Sequence, residues 1–310
     1  MGSPFNIVFY GADSANAGSI ATQCFALTDS FVSIFSDYID TSELSKLSAS
    51  SSSNAQPVKV SPAMWDILLQ SKNAYDKSDG AFDITIGPLM RCWGFLNGQG
   101  TLPDAASLAA ARECVGMHWV ELNESARSVR FTRPGLMIDL GAIGKGYAID
   151  MAVSRLREAG VTSALIHGGT STVFGIGHPP EAEAWQVAVE LPSRSADTAS
   201  RILAIVPLRE NSLSVSAVWG KSFQSGDREC GHVMDPRTGQ PVHHTQLAAV
   251  VLPSAAESDA FSTALLALGS GGSTTLIQHR PEIRGLVVAE GTGEAVAVRS
   301  LGGLVLHSHT

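Results

Sequence analysis

The run Ile138-Asp-Leu-Gly-Ala-Ile-Gly-Lys-Gly-Tyr-Ala-Ile-Asp150 constrains this chain more than any other stretch. It reads as a short apolar strand ending near Asp139, a turn broken by Gly141, Gly144 and Gly146, and a helix from about Lys145 through Arg157. Ile149, Val153 and Leu156 fall on one face of that helix, and Gly160 stops it. Glycines at this spacing admit either unusual backbone angles or a close approach that a side chain would forbid. A strand, a glycine turn and a helix N-terminus together offer free backbone N–H groups and the positive end of the helix dipole, which favour an anion such as phosphate. Lys145 would add a point charge. The spacing matches neither G-x-G-x-x-G nor a P-loop. An ordinary turn, with Lys145 as a solvated first-turn lysine, accounts equally well for the run taken alone.

Two further segments carry chemistry. In His232-Val-Met-Asp-Pro-Arg-Thr-Gly-Gln-Pro241, Asp-Pro followed by Thr-Gly is turn chemistry that places His232 and Asp235 at the mouth of a hairpin. An imidazole there titrates near neutrality and suits a general base, or it simply bonds a neighbouring carbonyl. Asp235 shapes the turn, and His243 and His244 read as solvated turn histidines. In Glu257-Ser-Asp-Ala-Phe-Ser-Thr-Ala-Leu-Leu-Ala-Leu-Gly269, a helix ended by Gly269, Asp259 and Thr263 stand four residues apart on one face. A carboxylate and a hydroxyl so placed suit a hard cation that completes its shell with phosphate and water. Alternatively, the threonine bonds its own helix backbone.

The rest of the chain supplies the frame. Phe5–Tyr10 alternates like a strand, and Asn16–Tyr38 carries apolar residues at helical spacing. Ser48–Asn54 is a polar serine tract expected to form a loop near a ligand entrance. Ser61-Pro62 opens a helix to about Lys77, and Asp104 caps another through Cys114. Two or three short strands are expected between residues 117 and 140. Strands then run in succession from Ser163 to Val218, and 247–252, 284–289 and 295–301 complete the set. Strands in runs with flanking helices favour an α+β fold over an alternating parallel sheet.

With 310 residues, 44% of them hydrophobic, the chain can bury one large core or two linked lobes. A net charge of −8 argues against nucleic acid or an anionic membrane as partner. A diphosphate ligand would therefore need local compensation from a cation or a helix end. Four cysteines without C-x-x-C spacing indicate neither a disulfide framework nor a zinc site. No segment has the ~18 unbroken apolar residues of a membrane span. As written, the N-terminus shows no basic and apolar leader, which implies a cytoplasmic protein or one whose export or lipoprotein leader has been trimmed.

These segments, in this order, resemble the FAD:protein FMN transferase (ApbE) family over nearly the whole chain. Met1-Gly-Ser-Pro-Phe looks like the family's opening strand, and Phe35-Ser-Asp-Tyr38 with Ser42–Leu47 like its first helix end and loop. Gly80–Leu89 with Trp93-Gly-Phe95 looks like its flavin-side segment. The 139–145 run, the 232–241 hairpin and the 258–269 helix complete the set. The departure is Ser262, where some relatives carry a second acid. The resemblance implies a single domain over 1–310, with possible lobes of about 1–160 and 161–310. It also implies a mainly antiparallel sheet, flanking helices and an FAD cleft between the lobes. The implied activity is Mg2+-dependent transfer of FMN from FAD to a threonine hydroxyl of an acceptor flavoprotein, releasing AMP. His232 would be catalytic. Met1, Tyr38, Ala81, Phe82, Asp83, Asp139, Lys145 and Met234 would contact FAD, and Ala142 (through its carbonyl), Asp259 and Thr263 would hold the metal. An FAD pyrophosphatase and a non-catalytic FAD carrier are the alternatives, the latter disfavoured because a pure binder needs no base beside a metal.

Overall fold

Seven strands, in chain order β1 (Phe5–Tyr10), β2 (Ser163–Gly168), β3 (Thr172–Ile176), β4 (Asn211–Ala217), β5 (Thr245–Leu252), β6 (Arg284–Glu290) and β7 (Val296–Leu301), lie side by side in that same order. Each is antiparallel to the next. The computed structural model describes residues 4–11, 14–51, 55–96, 98, 100–192, 200–225, 228–290 and 296–306. All eight residues of β5 are buried, which explains its nearly unbroken apolar run. Its alternate side chains serve two cores. Ala248, Val250 and Leu252 face the helices, whereas Leu247, Ala249 and Val251 face a long hairpin, Trp185–Leu191 with Arg201–Leu208. The strands expected after Ser163 are all present.

Five helices matter for the site: α1 (Ser14–Phe35), α2 (Glu43–Ala49), α3 (Pro62–Lys77), α4 (Gly144–Glu158) and α5 (Ala255–His279). The start of α3 follows the expected signal, with Ser61 Oγ accepting from Met64 N and proline in the first turn. In α5 the break predicted at Gly269 is real, with φ 67° and ψ −170° there, but helix resumes and runs on to His279. By length and composition α5 could cross a membrane, yet more than half of its apolar window is buried inside the fold. The aromatic rings of Phe31, Phe35 and Tyr147 pack within 5.5 Å of one another and pin the end of α1 to α4. The possible division near residue 160 falls between α4 and β2, and β1 is paired with β2 across it.

Two expectations need correction. Residues 136–140 form no strand ladder. Their backbone groups are satisfied instead by Ser51 Oγ (to the Leu136 carbonyl, 2.7 Å), Ser48 Oγ (from Ile138 N, 3.1 Å) and the Ile84 carbonyl (from Asp139 N, 2.7 Å). Accordingly, Ser48 to Ser51 do not form a loose tract: Ser48 belongs to α2, and two of these hydroxyls bind the extended segment. Residues 52–54 of that tract lie outside the described residues.

The N-termini of α4 and α5 meet. A Cβ on Gly146 would stand 2.2 Å from the Ala255 carbonyl oxygen, so Gly146 is required by helix–helix approach and not by an unusual φ. Each helix then caps the other. Asp150 of α4 accepts from Ser254 Oγ (2.7 Å), Ala255 N (2.8 Å) and Ala256 N (3.0 Å), while Asp259 of α5 accepts from Gly146 N (3.1 Å). Burial pushes the Asp150 carboxyl above the usual carboxylate range, and those three donors oppose the shift. Asp150→Ala strands two backbone donors at a buried helix start, so it is expected to cost about 2–4 kcal/mol of stability. Asp150→Asn, which keeps an acceptor, should cost less. Urea unfolding of both variants checks this, and equal stability to wild type for the alanine variant would refute the capping role.

Candidate active site

Where the two helix N-termini converge, Asp259 is 3% exposed and surrounded by donors. Its Oδ2 lies 3.4 Å from Lys145 Nζ in addition to the Gly146 amide. Its Oδ1 accepts from Thr172 Oγ1 (3.3 Å) and Ser214 Oγ (3.4 Å), and those two hydroxyls bond each other at 2.9 Å. The hydroxyl chain continues from Ser214 to Ser262 (3.4 Å), to Ser216 (2.8 Å) and on to Thr263 (3.0 Å). Thr263 also donates to the Asp259 carbonyl at 3.3 Å, the backbone bond that its helical position predicted. Asp259 and Thr263 are thus joined through β3 and β4 as well as along α5.

Lys145 also donates to the Gly141 carbonyl at 3.0 Å, closing the glycine turn over the start of α4. Ala142 lies within that turn, partly buried. Asp139 Oδ1 accepts from Gly141 N at 2.7 Å. Burial raises its carboxyl above the usual range, against the Gly141 amide and the charges of Lys145 and Lys221. Asp37, just beyond α1, is raised by burial and then by the charge of Asp139.

His232 opens the hairpin segment. Its Nδ1 lies 3.1 Å from the Lys221 carbonyl, and its backbone N–H donates to the same oxygen at 3.0 Å. A carbonyl only accepts, so Nδ1 carries the proton and Nε2 is left as the basic nitrogen. Burial holds this imidazole below the ordinary histidine value; the hydrogen bond to the Lys221 carbonyl opposes that shift, and the charges of Lys221 and Lys145 add to it. Tyr38 is 65% exposed, and its hydroxyl accepts from Lys221 Nζ at 3.2 Å.

The other expected FAD contacts are built differently. Ala81 and Phe82 are buried, and Asp139 N bonds the Ile84 carbonyl, so the 81–84 segment runs beside the Asp139 turn. The Asp83 carboxylate is turned inward, accepting from Thr85 N (2.8 Å), Thr85 Oγ1 (2.7 Å) and Met117 N (3.1 Å), which leaves the backbone here as the part that can face a ligand. Met234 is 4% exposed and packs with Trp93, Phe95 and Cys230 beneath the hairpin. Trp93 Nε1 donates to the Gly239 carbonyl at 3.0 Å, tying that turn down. Asp235 shapes the hairpin as expected, bracing Arg237 through both oxygens (2.9 and 2.8 Å). His244 packs against Gly269, and His243 bonds the Pro241 carbonyl. Met1 lies outside the described residues.

Lys221 and the hydroxyls of Thr172, Ser214 and Ser216 escaped the sequence reading, which notes Ser262 only as a departure from the family pattern. A signal for the serines was present: Ser212, Ser214 and Ser216 recur at period two, so one face of β4 is polar, yet Ser212 and Ser214 are fully buried. A polar face turned inward needs polar company. Lys221 left no such pattern.

A hard cation fits this donor set. Among the described residues, no three His, Cys, Asp or Glu side chains gather as a ligand group. Around the Asp259 carboxylate stand the Lys145 ammonium, neutral hydroxyls and a backbone amide, and the acceptors within reach are all oxygen. That composition suits magnesium completed by phosphate and water, and does not suit zinc. Two helix N-termini and an adjacent lysine suit an anionic, phosphorylated ligand at the margin of an antiparallel sheet.

The comparisons with known proteins are more specific. The ApbE family profile matches residues 1–287, and the chain belongs to that family. It is 30% identical to the FAD:protein FMN transferase of Klebsiella pneumoniae (strain 342) over 298 residues, covering 94% of this chain and 83% of that protein. The FAD:protein FMN transferase of Salmonella typhimurium is 28% identical with the same coverage. Among solved structures, the Pseudomonas stutzeri flavinyl transferase ApbE in its apo form superposes with a TM-score of 0.84 at 26% identity, covering 97% of this chain and 92% of that one. The ApbE protein of Thermotoga maritima shares the fold with a TM-score of 0.85 at 23% identity. The α+β reading with a mainly antiparallel sheet is thereby borne out.

Proposed function

We propose that this protein is an FAD:protein FMN transferase, moving FMN from FAD to the threonine hydroxyl of an acceptor flavoprotein and releasing AMP. The observation that carries this reading is the convergence of two mutually capped helix N-termini on Asp259 and Lys145, with His232 as the imidazole whose Nδ1 donates to the Lys221 carbonyl. A diphosphate meets backbone dipoles and an ammonium there. An acceptor hydroxyl meets a base.

In the reaction, the hydroxyl proton passes to His232 Nε2 as the oxygen attacks the FMN-side phosphorus. A new P–O bond forms in line with the breaking phosphoanhydride bond, whose electron pair leaves with AMP. Lys145 and the helix ends offset the charge on the diphosphate. Asp139 and the 81–83 backbone line the approach with hydrogen-bonding groups, and Tyr38 offers an exposed aromatic face to the flavin. Asp259, Thr263 and the Ala142 carbonyl would hold magnesium, which supplies further charge neutralisation on the phosphates.

The test is incubation of the protein with FAD, magnesium and a purified acceptor domain, followed by intact mass. A gain of one FMN on the acceptor with AMP released supports transfer. AMP release without that gain identifies a pyrophosphatase, and no AMP at all leaves a carrier. Because the diphosphate is what the helix ends recognise, the protein should bind FAD more tightly than FMN, and Lys145→Ala should narrow the gap. Flavin fluorescence titration measures both affinities. Equal wild-type affinities would remove the diphosphate from the recognition argument.

A further inference from the structure

Lys221 connects two residues that the sequence separates by 194 positions, Tyr38 and His232. Its main-chain carbonyl takes the His232 backbone N–H at 3.0 Å and the ring Nδ1 at 3.1 Å. Its ammonium donates to the Tyr38 hydroxyl at 3.2 Å and stands 5.5 Å from the centre of that ring. We propose that Lys221 is a positioning residue that couples the placement of the Tyr38 ring to the orientation of the His232 imidazole.

The physical argument has three parts. A histidine held by one carbonyl is only as well oriented as the backbone that carries the carbonyl. Lys221 sits at the exposed entry to the hairpin strands Ser222–Ser225 and Arg228–Gly231, where little core packing restrains it. Its side chain supplies the missing restraint by anchoring to Tyr38, three residues beyond Phe35, the end of α1 that the aromatic cluster with Tyr147 holds. The hydrogen bond holds the ammonium beside the Tyr38 hydroxyl, beyond the edge of the ring. The charge has a second consequence. It opposes protonation of His232 together with Lys145 from α4, and its charge acts against the upward shift of the Asp37 and Asp139 carboxyls.

The kinetic part of the test rests on the transferase reading, and the spectroscopic part does not. Lys221→Met, Lys221→Arg and Tyr38→Phe are made in the full chain. The His232 ring is titrated by NMR without substrate, its resonance assigned with His232→Gln, and AMP release is then measured with FAD and acceptor. Lys221→Met is expected to move the His232 titration upward, because a charge opposing protonation is gone, and to lower kcat by about 10-fold with a smaller change in KM. Lys221→Arg, which keeps the charge and a donor, should stay within about threefold of wild type in kcat. Tyr38→Phe should lower kcat while leaving the titration near wild type, since the ammonium remains. This variant also keeps the proposal testable if Lys221→Met does not fold.

An unmoved His232 titration in folded Lys221→Met would overturn the electrostatic link. Unchanged kcat in both Lys221→Met and Tyr38→Phe would overturn the positioning role. If the wild type itself releases no AMP, the transferase reading fails while the titration still decides the link.

Discussion

Replacing His232 by alanine is expected to leave FAD affinity within a few-fold of wild type while slowing FMN transfer by about 10²–10⁴. A general base contributes to the barrier and not to ground-state binding, so its loss appears in kcat. With Nδ1–H donating to the Lys221 carbonyl, Nε2 is the nitrogen that would take the hydroxyl proton in the proposed reaction. Because burial keeps the imidazole neutral at lower pH than usual, the wild-type rate should show its acid limb below about pH 6.5 and be level above it. The direction follows from the protonated ring being unable to accept the hydroxyl proton. Stopped assays of AMP release across pH 5–8 measure the profile. If FAD affinity collapses in the alanine variant, His232 shapes the hairpin instead. If transfer survives, positioning and charge alone carry the reaction.

The second large effect is expected at Asp259. Asp259→Asn keeps an acceptor for the Gly146 amide and the size of the side chain, so the fold should persist. It removes the one carboxylate among the hydroxyls of Thr172, Ser214, Ser216, Ser262 and Thr263. AMP release should fall by about 10³-fold or more, since charge stabilisation of a phosphoryl transfer is commonly its largest single contribution. EDTA should inhibit the wild type to a similar extent, and Thr263→Ala should be milder because water replaces a neutral oxygen. Full activity in EDTA would rule out a metal-assisted reaction. A collapsed melting temperature in Asp259→Asn would instead show that the carboxylate charge holds α4 and α5 together.

Much of the site was visible along the chain because its signals are local. The helix start at Ser61, the turn shaped by Asp235, the break at Gly269 and the four-residue spacing of Asp259 and Thr263 each depend on contacts within a few residues. Where local reading failed, long-range partners decided the outcome. Residues 136–140 look like a strand, but their backbone groups found Ser48, Ser51 and Ile84 before any sheet edge.

By itself, the sequence determined the kinds of element, their order and the residues with chemical capacity, since periodicity, capping and turn preference are properties of short windows. Only the tertiary structure decided why Gly146 must be glycine, since the reason is the Ala255 carbonyl of another helix. It likewise turned the Asp83 carboxylate inward, gave Asp150 the N-terminus of α5 to cap, and brought Lys221 to Tyr38 and His232. These facts rest on pairs separated by tens to hundreds of residues, and no window of sequence contains both members.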